Sequence, residues 1–131
     1  MERHVVRQPA VAGAFYPGTR EDLLALIEEC FTGRLGPGAA PIASETPAKE
    51  TIGLVSPHAG YVYSGACAAH GFARACRAGV YRTAVVIGPN HRGWGSTVAL
   101  HPPGEFVTPL GAVTVDEEGT RSLASCCAVC A

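Results

Sequence analysis

Two histidines in this 131-residue chain stand at matched places, each shortly after an apolar run and a proline: Val55-Ser56-Pro57-His58 and Ile87-Gly88-Pro89-Asn90-His91. Imidazole ligates zinc, iron and copper and also works as a general acid or base. A proline ahead of each imidazole stiffens the backbone, as a preformed site requires. Gly60, Tyr61 and Tyr63 follow the first histidine and Asn90 adjoins the second, so these four are the candidates for pocket lining or for hydrogen bonds that support a ligand. Each also has a plain structural reading: Pro, His, Gly and Asn are ordinary turn residues, and the tyrosines can pack on the helix that follows.

The elements that position these residues follow from the apolar pattern. Residues 51–55 (TIGLV) and 84–87 (AVVI) read as buried strands, and Ser64 to Arg77 (SGACAAHGFARACR) reads as a helix of small residues between them. Strand, turn, helix and strand in that order make a βαβ unit with parallel strands and a right-handed crossover. Both histidines then fall at carboxyl ends of strands, where open α/β sheets bind ligands. Adjacent strands lie about 4.8 Å apart, within range of one ion bound through bonds of about 2.0–2.2 Å.

Elsewhere, residues 1–18 form an arm whose AVAGAFYPG stretch ends in a Pro-Gly turn. Thr19 caps a helix with Leu23, Leu24, Ile27, Cys30 and Phe31 at helical spacing and Gly33 at its end. Residues 34–50, rich in Gly, Pro and Ala, read as an exposed connector. Residues 96–100 and the FVTPLGAVTVD segment read as short strands, the latter a hairpin turning at Pro109 to Gly111.

The bulk numbers fit one globular α/β domain over residues 1–131, which would bury about 68% of its unfolded surface. Hydrophobic residues make up 47%, charged residues 16%, and the net charge is −1, values that exclude a disordered tail-like chain and give no nucleic-acid footprint. No apolar run reaches the roughly 20 residues of a membrane span, and the amino terminus lacks a secretory core, so a cytoplasmic protein is expected. Its six cysteines then read as reduced thiols. Cys127 and Cys130 form a C-x-x-C beside Cys126, but a single such pair at the end of a chain lacks the second pair of a zinc site. His4, His70 and His101 read as solvated or packing histidines, with His70 also able to support the site if its helix face turns that way.

The segments AGAFYP, SPHAGYVYSG, GPNH and TPLG followed by VD, from about Arg7 to Asp116, resemble the Memo family (mediator of cell motility; AmmeMemoRadiSam system protein B) in order and spacing. Memo proteins are similar in fold to the catalytic subunit of class III extradiol dioxygenases, so the resemblance implies a mostly parallel sheet with flanking helices. It also implies that His58 and His91 occupy two metal-ligand positions, for iron or copper. Family chains are about twice as long, and their second half supplies a further histidine and acid, a DFSH-like segment and a cysteine at a third ligand position. None of those motifs occurs here, and residues 117–131 begin like a family helix and then turn into a cysteine-rich end without a counterpart in the family, so the chain reads as a truncated amino-terminal half. Two functions follow: a metal-binding, dioxygenase-like protein whose catalysis is incomplete in this chain, or a non-catalytic module binding a peptide in the same cleft. An uncovered apolar flank would favour self-association or a partner that supplies the missing half.

Overall fold

The computed structural model describes residues 4–48, 50 and 52–127. They fall into two compact units, one within residues 11–82 and the other formed by residues 4–10 with 83–127.

The first unit is a pair of packed helices. Helix α1 spans Arg20–Thr32, as its periodicity predicts. Thr19 Oγ1 accepts from the Asp22 amide at 3.2 Å and donates to Asp22 Oδ2 at 2.7 Å, while Glu21 and Asp22 place negative charge against the positive end of the helix dipole. Gly33 closes α1 with its amide on Glu29 O at 2.8 Å. Helix α2 spans Tyr61–Ala78, three residues earlier than the small-residue run suggests. Gly60 is its N-cap and accepts from the Tyr63 amide at 2.9 Å, so both tyrosines belong to the first turn and not to a loop.

Leu23 and Cys30, seven residues apart on α1, and Ala69 and Ala73, four apart on α2, form the buried core among the described residues. Gly65 stands four residues before Ala69 and opens the surface further: a Cβ there would run into Cys30 Sγ. Small residues along one ridge of α2 let α1 approach closely, and this is why the sequence spends Gly and Ala on that face.

The connector expected over 34–50 is fastened at its far end. Ser44 donates its amide to Cys76 O at 3.1 Å, Val80 to Thr46 O at 2.8 Å and Ala48 to Val80 O at 3.0 Å, giving a parallel bridge between Pro47 and Val80. Gly79 turns the chain into that bridge at φ 141°, and a Cβ there would lie 2.5 Å from the Ala48 backbone. The arm of the first unit bends back on itself through an Ala12–Tyr16 bridge.

The second unit holds a three-stranded sheet ordered β1 (Val5–Arg7), β2 (Gly104–Thr108), β3 (Gly111–Thr114). β1 pairs with β2 in parallel, Val5 opposite Gly104, and β2 with β3 antiparallel, Phe106 opposite Val113. Gly104 meets the Val5 backbone so closely that no side chain fits there. The β2–β3 hairpin turns at Pro109 and Leu110 as predicted, with the Leu110 amide on Thr108 Oγ1 at 3.1 Å. Helix α3 spans Glu117–Cys126, so the segment after Asp116 begins as a helix, as the resemblance implies. Asp116 caps it through Oδ1, which accepts from the Gly119 amide at 2.9 Å, and its Oδ2 accepts from Thr83 Oγ1 at 2.6 Å.

The sheet corrects the sequence reading in two respects. It is small and mixed, not mostly parallel, and among the described residues neither 52–55 nor 84–87 is a strand. Both runs are non-helical and unpaired: Val55 is 100% exposed, Val85 69%, Val86 89% and Ile87 92%. A strand exists only with a neighbour to complete its ladder, and no described residue supplies one to these runs. Among the described residues the βαβ unit is therefore not formed. Residues 96–100 form no continuous strand either, only a single bridge position at Val98. No helix among the described residues is long and apolar enough to cross a membrane.

Candidate functional site

His58 lies in the first unit, two residues before the N-cap of α2, and its side chain is exposed. His91 lies in the second unit, at the start of a two-residue turn, also exposed. Each imidazole thus sits at the end of an unpaired apolar run. The carboxyl end of a parallel strand, the setting the sequence suggested, is not formed. Among the described residues no three His, Cys, Asp or Glu side chains gather closely enough to hold an ion.

The neighbours of His58 divide. Tyr61 turns toward the protein: its ring centroid lies 6.1 Å from that of Tyr16 at 60°, and burial, reinforced by Tyr16 and Cys30, raises its phenol above the usual value. It packs there while remaining partly exposed, and it joins the FYP stretch of the arm to the first turn of α2. Tyr63 is exposed and its ring edge lies against Gly60, where an added Cβ would be 3.7 Å away. Gly60 itself is hemmed by Phe15 O, 3.3 Å from such a Cβ, so the glycine accommodates the arm. Ser64 Oγ donates to Ala59 O at 3.1 Å and ties the segment after His58 to the helix.

Asn90 organises the turn at His91. Its Oδ1 accepts from the Gly93 amide at 2.8 Å and its Nδ2 donates to Trp94 O at 3.0 Å, so both ends of the amide are spent on the loop. These are the hydrogen bonds of a turn former. Gly93 and Gly95 adopt positive φ, and Arg92 stacks on Trp94 with its guanidinium carbon 5.3 Å from the ring centroid. The exposed Trp94 was not singled out in the sequence, although GWG between positive-φ glycines marks a displayed aromatic.

His70 and His101 have partners of their own. His70 Nε2 lies 3.1 Å from Leu35 O, and His101 Nδ1 lies 2.8 Å from Pro102 O while its ring meets Phe106 at 4.4 Å. Cys30, Cys67, Cys76 and Cys126 are free thiols, and burial with the nearby Glu29 pushes the Cys30 thiol up. Cys130, the second half of the C-x-x-C, lies outside the described residues.

A family profile described as Memo-like protein matches residues 7–130, which takes in both histidines, the hairpin and α3. The chain belongs to the Memo family. Its match to Memo relatives is close: it is 50% identical over 120 residues to a MEMO1 family protein of Thermotoga maritima and 49% identical over 120 residues to one of Thermotoga sp. strain RQ2, in each case 91% of this chain and 43% of the relative. A MEMO1 family protein of Methanopyrus kandleri is 46% identical over 123 residues, 94% of this chain and 43% of that relative. This Memo chain therefore spans less than half the length of those relatives. No solved structure matches it.

Proposed function

We propose that this Memo chain supplies the two-imidazole part of a divalent transition-metal site, iron or copper, through His58 and His91, in a protein related to non-haem-iron dioxygenases. The observation that carries the reading is the repeated setting: in each unit an exposed apolar run ends in a proline and then presents an exposed histidine. The donor chemistry fits in kind, because neutral imidazole suits iron, copper and zinc. It does not fit in number. Oxygen-activating iron sites add an anionic ligand to two imidazoles, and no third donor gathers with either histidine among the described residues. This chain's residues would position the ligands: Pro57 and Pro89 stiffen the approach, Gly60 and Ser64 hold the segment after His58 to α2, and Asn90 fixes the turn after His91.

Metal content of the purified chain, loaded with iron(II) or copper(II) and desalted, tests the reading. Weak, saturable binding that is lost in His58→Ala and in His91→Ala is expected. Metal retained undiminished in the double variant would refute it.

A further inference from the structure

Residues 84–88 carry Ala84, Val85, Val86 and Ile87 without a charge, and Val85, Val86 and Ile87 are all largely exposed. In an extended chain Val86 points to one face and Val85 and Ile87 to the other, so the run is apolar on both faces. Among the described residues its backbone makes no hydrogen bond. A segment of that kind is built for the interior of a layered sheet, with strands at both edges and cover on both faces. Residues 52–55 have the same character more weakly: Val55 is fully exposed, whereas Leu54 touches α2 at Gly71.

The occupant follows from length and from geometry. More than half of each Memo relative lies outside the region this chain matches. A second copy of this chain docking edge to edge would satisfy one edge of the run and leave both faces wet. A larger body with its own strands and helices satisfies edges and faces together. We infer that residues 84–88 are a strand-docking segment for the polypeptide that corresponds to the unmatched part of the Memo relatives, and that residues 52–55 are a second, lesser contact for it. The inference rests on family membership and not on the metal reading, although it would bring further donors to His58 and His91.

The probe is the unmatched remainder of the Thermotoga maritima relative, co-expressed with this chain and, in a second preparation, joined to it by a Gly/Ser linker so that a remainder unable to fold alone still meets the docking segment. Backbone amide exchange is read at residues 84–88 in the chain alone and in both preparations, with EDTA present throughout. Exchange near the solvent rate in the chain alone, slowed at least 100-fold in the joined protein, is expected. Val86→Lys abolishes that protection, and Ile42→Lys, an exposed apolar position in the connector, leaves it intact. Unprotected 84–88 in the joined protein overturns the inference, and so does protection in the chain alone that grows with its own concentration, which would make the occupant a second copy. Protection in EDTA together with failure of metal binding would sink the metal proposal alone.

Discussion

Asp116 is the point at which the second unit is most sharply testable, because one carboxylate does two separable things. Its Oδ1 caps α3 through the Gly119 amide and its Oδ2 accepts from Thr83, thirty-three residues earlier and next to the exposed apolar run. Asp116→Ala removes both. Loss of a helix cap costs about 1 kcal/mol. The Thr83 bond, charge-assisted but exposed, adds about 1 kcal/mol. Together they give about 2 kcal/mol, or roughly a 30-fold shift in a local opening equilibrium. Asparagine caps about as well as aspartate, so Asp116→Asn loses only the charge assistance to Thr83, about 0.5 kcal/mol. Thr83→Val loses the bond and keeps the cap, about 1 kcal/mol. Amide exchange at Gly119 and Thr120 should accelerate in the order wild type, Asp116→Asn, Asp116→Ala. The double variant Thr83→Val/Asp116→Ala should be no faster than Asp116→Ala, since the bond can be lost only once. Equal acceleration in Asp116→Asn and Asp116→Ala would refute the capping role, and full additivity in the double variant would refute the link to Thr83.

Other outcomes follow from the same geometry. Gly65→Ala should destabilise the helix pair by about 1–3 kcal/mol in urea unfolding, and Cys30→Ala in the same chain should recover part of the loss by removing the sulfur that the new methyl meets. Leu23→Ala should cost about 2–5 kcal/mol, near the whole stability of so small a core. Cys30 should resist iodoacetamide while the exposed Cys67 is modified, as mass spectrometry after short labelling would show. The raised pKa values of Cys30 and Tyr61 mean that the unfolded chain loses those protons first. Stability is unaffected well below the ordinary values of 9.0 and 10.0 and should fall as pH rises through them, with Tyr61→Phe and Cys30→Ala flattening the alkaline limb.

Local signals suffice wherever the element carries its own partners. Helix α1 was legible from Thr19 to Gly33 because cap, periodic apolar face and terminating glycine are all within fifteen residues of one another. The β2–β3 hairpin was legible for the same reason. The start of α2 was misplaced by three residues because Tyr61, Val62 and Tyr63 are poor helix markers, and the N-cap Gly60 has no side chain to announce itself. β1 escaped notice because three residues carry no periodicity, and its partner β2 lies almost a hundred residues away. The runs at 52–55 and 84–87 show the converse: composition records what a segment is suited to become, and the ladder depends on residues the run does not contain. For the site, spacing after proline located both histidines, and both are presented to solvent. A ligand set is a property of several segments at once, and no local pattern carries it.

The three main-chain hydrogen bonds that fasten residues 44–48 to Cys76 and Val80 divide the connector into unlike parts. Residues 39–43 make no described main-chain hydrogen bond, while 44–48 run as a short ribbon beside the end of α2. Within the connector, limited proteolysis should nick the former stretch and spare the latter, and a chain cut there should stay together through the packed helices. The same place is where new chain ends would be tolerated, so a circular permutant opened between Ala40 and Pro41 should keep the helix pair, whereas one opened at Pro47 should lose it.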